Sequence, residues 1–174
     1  MADNTYTLIS SNVLSTSAAS VTFASIPSTY TDLVLRMSVR TDQAGNFTSA
    51  GYVRFNSDSA SNYSLTELYG DGSVGYPARQ SSSTYGWWSY QGFNAAGTTS
   101  NTFTHVEMYV PSYTVSQNKP FSSISAGENN ATTAILDNVA LQWRNTAAVS
   151  SIFVGNTANF VSGSSFYLYG IKNS

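Results

Sequence analysis

The chain has 174 residues, which suits one domain able to bury a sufficient core without a covalent staple. Only 9% of residues are charged, the net charge is −2 and cysteine is absent. Disulfides and cysteine-based zinc sites are therefore excluded, and no basic cluster exists to wrap a phosphate backbone. The opening Met1-Ala2-Asp3-Asn4-Thr5 lacks the basic and apolar regions of a secretory signal, and no apolar run approaches the roughly 20 residues of a membrane-spanning helix. Neither nucleic acid nor a membrane is an expected partner.

In chain order, the first strand candidates are Tyr6 to Ile9 and Val21 to Phe23, followed by the turn Ile26-Pro27-Ser28-Thr29. Leu33, Leu35, Met37 and Val39 then alternate with Arg36, Ser38 and Arg40, the two-residue period of a strand buried on one face. Val34 interrupts that alternation and predicts cover on both faces. After Asp42-Gln43-Ala44-Gly45-Asn46 come strands at Tyr52 to Phe55 and Tyr63 to Tyr69, then the turn Asp71-Gly72-Ser73. Tyr76 to Ser100 has a weak strand signal and reads as a long loop with at most one irregular strand. Loops of that length in a compact domain are usually functional or ordered by a partner.

Val106, Met108 and Val110 resume the alternation against His105, Glu107 and Tyr109. Phe121 to Ser125 is another strand. Ile135, Val139, Leu141 and Trp143 form the next apolar set, with Asn138, Gln142 and Arg144 outward. Asp137 falls on the apolar side, where a strand end open to water or to a backbone N–H is expected. Val149 to Val154 follows. The closing run Phe160-Val161-Ser162-Gly163-Ser164-Ser165-Phe166-Tyr167-Leu168-Tyr169-Gly170-Ile171 is a turn feeding a last strand, apolar on both faces. About ten short strands with regular turns predict a single all-β domain over residues 1–174, an antiparallel β-sandwich. The strand number favours a jelly roll, and the Cys–Trp–Cys pattern of an immunoglobulin-type sandwich is missing.

Catalytic chemistry finds little footing. His105 is the one histidine and shares a strand face with Glu107, but no Gly-x-Ser-x-Gly elbow completes a hydrolase triad. The nine acids lie mostly beside glycine, serine and asparagine, without the apolar surround that raises a glycosidase acid's pKa. Oxygen ligands for calcium are offered by Asn56-Ser57-Asp58, Asp71, and Glu128-Asn129-Asn130, but no EF-hand loop appears and such residues commonly cap turns. No cofactor, metal or catalytic residue is expected. The aromatic cluster Tyr85, Trp87, Trp88, Tyr90 and Phe93 stands out. Its rings can fold onto the domain's own core, fill the centre of a subunit interface, or stack on sugar faces. These five residues are the candidate contact for a partner or glycan.

Several motifs, taken in order, resemble one group of proteins. They are Tyr6-Thr7-Leu8-Ile9-Ser10-Ser11, Ser20-Val21-Thr22-Phe23, Ile26-Pro27-Ser28-Thr29-Tyr30-Thr31-Asp32-Leu33, Phe55-Asn56, Asn62-Tyr63-Ser64, Glu128-Asn129-Asn130-Ala131, Trp143 and the Phe160 to Ile171 close. The chain resembles small β-rich virion structural proteins of tailed bacteriophages, including cyanophages. That resemblance implies a non-enzymatic sandwich on the outer surface of the particle: a capsid decoration (cement) protein that binds the major capsid protein, often as a homotrimer. The alternative it implies is a tail-fibre or receptor-binding module for host glycans. A chain that starts at Met1 with neither shaft nor attachment domain is expected to decorate. A polysaccharide depolymerase is the reading from the enzyme class. Low surface charge agrees with decoration, because neighbouring copies can touch without burying ions, and a lattice makes weak repeated contacts sufficient.

Overall fold

The computed structural model describes residues 5–45, 47–48, 50–89, 92–129 and 131–172. Met1 to Asn4, the turn residue Asn46, the ligand candidate Asn130 and Tyr90 of the aromatic cluster lie outside the described residues. The protein is all-β, with 59% of residues in strands. The strands are β1 (Tyr6–Val13), β2 (Ala18–Phe23), β3 (Asp32–Val39), β4 (Phe47–Thr48), β5 (Gly51–Phe55), β6 (Tyr63–Gly70), β7 (Gly75–Ser83), β8 (Gly86–Ser89), β9 (Phe93–Asn94), β10 (Thr104–Val110), β11 (Lys119–Glu128), β12 (Ala134–Trp143), β13 (Ile152–Phe160) and β14 (Ser165–Ile171).

A large sheet runs β1-β14-β3-β10-β11-β12-β6-β7, and a smaller one runs β2-β13-β5-β8. The strand pairs are antiparallel throughout both sheets. The chain alternates between strands β1, β14, β3 and β10 of the large sheet and the small sheet β2-β13-β5-β8 in the double Greek-key manner of a jelly roll, and β8 packs over β11, β12 and β6. Two hairpins, β6–β7 and β11–β12, extend the large sheet beyond that framework. Opening and closing strands pair, with Tyr6 opposite Ile171, so both ends of the chain contribute to one edge of the sandwich.

The sheets close over one hydrophobic core. Alternation along β3, β10 and β12 points Leu33, Leu35, Met37, Val39, Val106, Met108, Val110, Val139 and Leu141 inward. An aromatic group fills the space under the extension. Phe55 packs on Phe121 with ring centroids 4.8 Å apart and edge-on to Trp143 at 5.6 Å. Tyr63 is fully buried, and its hydroxyl accepts the Phe55 N–H at 2.8 Å. Burial pushes that phenol well above its ordinary pKa.

The structure departs from the sequence expectations in three places. Tyr76 to Ser100 is not one long loop, because it carries β7, β8 and β9. Strand β7 is an edge strand open to solvent on both faces, so it has no apolar set to alternate. Asp137 is not near a water-reached strand end: it sits within β12, fully buried, and accepts the Ser89 hydroxyl at Oδ2 over 2.6 Å. In β14 only Phe166, Leu168, Gly170 and Ile171 are buried, while Tyr167 and Tyr169 form a half-buried outer row. Val34, by contrast, is buried on the outer face, as its break in the alternation implied; it is flanked in register by Tyr109 and Tyr169.

Candidate functional site

Strand β8 divides the aromatic cluster. Successive side chains of a strand point to opposite faces, so Trp87 and Trp88 part company. Trp88 enters the core at 0% exposure and packs against Phe93, also 0% exposed, with centroids 4.3 Å apart. Its ring lies over Gly51, where an added Cβ would come within 2.3 Å of it. Neither Trp88 nor Phe93 is placed to touch a partner. Tyr85 and Trp87 are half-buried on the outer face of the small sheet.

Those two rings are joined there by residues that the sequence did not group with them. Trp87 stands edge-on to Tyr85 at 4.7 Å, Tyr85 leans on Tyr52 at 5.1 Å, and Tyr52 stacks on Phe153 at 5.8 Å. Pairing brings them together: Tyr52 lies opposite Trp87 between β5 and β8, and β13 lies on the other side of β5. Gly155 faces Tyr52 in register, and a Cβ there would come within 2.7 Å of both the Tyr52 and Phe153 rings. The glycine is what lets the two rings spread over the strand.

The Arg54 guanidinium lies over Tyr85 at 5.6 Å and Tyr52 at 5.9 Å, and Nε donates to the Thr84 carbonyl at 3.1 Å. At the far end the Trp87 indole N–H donates to Gln80 Oε1 at 2.7 Å. The result is a continuous band of Phe153, Tyr52, Tyr85 and Trp87, edged by one cation and one amide. Rings held at such distances are rigid before any ligand arrives, which lowers the ordering cost of binding.

The outer face of the large sheet is different in kind. Leu68, Leu136, Ile124 and Val74 are 58%, 56%, 47% and 52% exposed. In register, Leu136 sits opposite Ala126 and Leu68 opposite both Asn138 and Pro77. The β6–β7 turn from Asp71 to Val74 walls a shallow apolar groove of about 750 Å³ over Leu68 and Leu136. Further along that face, Glu107 is engaged by Arg36, whose Nε lies 2.9 Å from its carboxylate. His105 and Glu107 do share the outer face of β10, but this acid's partner is the arginine.

The oxygen-rich positions cap turns. Asp58 accepts the Ala60 N–H, the Asn62 amide and the Trp143 indole N–H at 2.9, 2.9 and 2.7 Å. Burial alone would raise its pKa, but those bonds together hold the carboxyl below its ordinary value. Asp71 accepts the Ser73 and Val74 N–H groups, which lowers its pKa too. Asn56 takes the Ser150 and Ser151 N–H groups, and Asn129 those of Ala131 and Thr133. Glu128 binds the Thr99 N–H, the Thr102 hydroxyl and the Asn94 amide. Among the described residues no group of three or more His, Cys, Asp or Glu gathers to hold a metal.

No protein-family model matches this sequence, and no curated protein matches it either.

Proposed function

We propose that the chain is a virion structural module that decorates the capsid exterior of a tailed phage, as the sequence resemblance implies. The single observation that carries the reading is the outer face of the large sheet, which exposes the apolar side chains of Ile124, Leu136, Leu68 and Val74 at one end. Contiguous exposed apolar area of this kind is the usual mark of a protein-contact surface. The partner in this reading is the major capsid protein, the chain works as a homotrimer, and this face seats on the shell. A jelly roll is a rigid support for such a contact, and the sparse charge of the chain lets surfaces meet without desolvating many ions.

The test is a map of intact particles together with a binding assay on undecorated shells. The double variant Leu68→Asp, Leu136→Asp is expected to keep the wild-type circular dichroism, because both side chains are exposed, and to lose co-sedimentation with shells. Absence of this chain's density from the shell sinks the decoration reading.

A second reading, recognition of host glycans by a tail-fibre type module, is favoured by one specific observation. The band Phe153–Tyr52–Tyr85–Trp87 offers pre-set ring faces with Arg54 and Gln80 at its margin. A glycan array probed with wild type and Trp87→Ala tests it: binding that survives the substitution removes the ring band from consideration.

A further inference from the structure

The four strands of the small sheet hold a single charged residue, Arg54 in β5; β2, β8 and β13 contain neither acid nor base. Tyr52 and Arg54 alternate outward against the buried Gly51, Val53 and Phe55. Register places Arg54 beside Phe153, and Phe153 beside Thr22 on the next strand. One pleat along, Tyr52 lies between Gly155 and Trp87. The cation therefore borders the rings on their own face of the sheet. Neighbouring strands are about 4.8 Å apart, and the rings follow one another at 5.8, 5.1 and 4.7 Å, so one ligand can touch rings and cation together.

Arg54 is held in place but not spent. Its guanidinium lies 5.6 Å from the centroid of Tyr85 and 5.9 Å from that of Tyr52, and Nε donates to the Thr84 carbonyl at 3.1 Å. The terminal nitrogens make no hydrogen bond or ion pair with the described residues. The nearest acid along the chain, Asp58, is committed to the Ala60 N–H, the Asn62 amide and the Trp143 indole N–H. A fixed guanidinium with spare paired donors is suited to the oxygens of a carboxylate or sulfate group.

We propose that the outer face of the small sheet is a site for an acidic oligosaccharide, in which pyranose faces lie on the ring band and a carboxylate or sulfate group of the sugar binds the terminal nitrogens of Arg54. The inference rests on the glycan reading of the ring band and adds to it the charge of the ligand. Rings alone accept any sugar with an apolar face, whereas an arginine fixed beside them without an acid partner favours a ligand that brings the acid. Several rings to one cation suit a saccharide, whose apolar faces outnumber its acid groups; an acidic peptide calls for more cations than this sheet holds. Thr22, exposed beside Phe153, supplies a hydroxyl to pair with those of the sugar.

The test is titration of the whole chain with four probes: an oligogalacturonate, a sulfated heparin-derived oligosaccharide, a neutral cello-oligosaccharide and an oligoglutamate peptide. Calorimetry and heteronuclear NMR shifts are the readouts. The expected result is an acidic oligosaccharide bound about tenfold or more tighter than the neutral one, with shifts at both the Trp87 indole N–H and the Arg54 Nε–H. The tighter of the two acidic probes names the anionic group. Arg54→Gln is expected to remove that preference and to keep the wild-type circular dichroism, since Arg54 is half-buried and its one hydrogen bond is exposed. Arg54→Lys keeps the charge beside the rings without the paired donors, so it is expected to fold and to retain only part of the preference. A full preference in both variants overturns the inference. The neutral probe bound as tightly as the acidic ones overturns it while leaving the ring band a sugar site. The peptide bound as tightly as either acidic oligosaccharide overturns it as well, because the site then reads charge alone. Failure of all four probes overturns it and counts against the glycan reading too.

Discussion

Trp87 and Trp88 are consecutive and chemically identical, yet they occupy opposite sides of the small sheet. Trp88 lies in the core against Phe93 and Gly51; Trp87 lies on the surface against Tyr85, with its indole N–H satisfied by Gln80. The difference teaches that ring density along the chain does not mark a site by itself. Strand parity decides which ring serves stability and which is left for recognition. The same division holds for the molecule's two aromatic groups: Phe55, Tyr63, Phe121 and Trp143 bury their rings under the extension, whereas Phe153, Tyr52, Tyr85 and Trp87 keep theirs at the surface.

The sharpest way to break the comparison is to delete the inner ring. Trp88→Ala empties a fully buried site that Gly51 and Phe93 are shaped around. Large-to-small changes of this kind cost about 3–5 kcal/mol, a large part of the stability of a domain this size. Urea denaturation followed by circular dichroism is the measurement. A loss under about 1 kcal/mol would mean that the ring is not part of the core.

A smaller effect is expected at the rim of the inner group. Trp143 is anchored by its indole N–H on Asp58, and the same carboxylate closes the turn through Ala60 and Asn62. Asp58→Ala leaves the indole N–H and the turn N–H without that acceptor, at a cost of about 1–3 kcal/mol. The pH dependence has a definite sign. The folded pKa lies below the ordinary 3.8, so the folded state binds the proton less readily than the unfolded chain does. Its contribution is full above the unfolded pKa and is lost as pH falls through the folded value. Wild type is therefore expected to lose stability below about pH 4 more steeply than Asp58→Asn, a difference read from urea midpoints at pH 6 and pH 3.

Much of this fold was legible in the sequence because burial on one face writes itself as alternation. Leu33 to Val39, Val106 to Val110 and Ile135 to Trp143 carry that signal, and all three are central strands of the large sheet. Strand β7 was not legible, because a strand exposed on both faces has no apolar period to display. The candidate site was legible only in part. Tyr85 and Trp87 stood out as a local cluster, but Tyr52, Arg54 and Phe153 arrive from β5 and β13, which become neighbours only through long-range pairing. One signal was available: Tyr52 and Phe55 place rings on opposite faces of one short strand, more than a core on one side requires. Strand parity over Gly86 to Ser89 is a second such signal, since it alone sends Trp87 and Trp88 to opposite faces.

The smallest effect on stability, and the one that most sharpens the contrast, is expected at the outer ring. Trp87 is half-buried at the margin of the core, stands edge-on to Tyr85 and donates its indole N–H to the exposed Gln80. Removing it takes away one aromatic pair, about 0.5–1.5 kcal/mol, part of a half-buried packing contact at the core margin, and a hydrogen bond whose remaining partner, Gln80, is exposed to water. Trp87→Ala should therefore unfold within about 1–2 kcal/mol of wild type, well short of the loss at Trp88. Because its neighbours Tyr52 and Tyr85 also rest beneath Arg54, they are expected to hold their places when Trp87 is gone, so any loss of ligand binding reads the missing ring and not a collapsed surface. Equal destabilisation by the two substitutions would erase the distinction between them: Trp87 would then be a second core residue, and the outer ring band would be reduced to Phe153, Tyr52 and Tyr85.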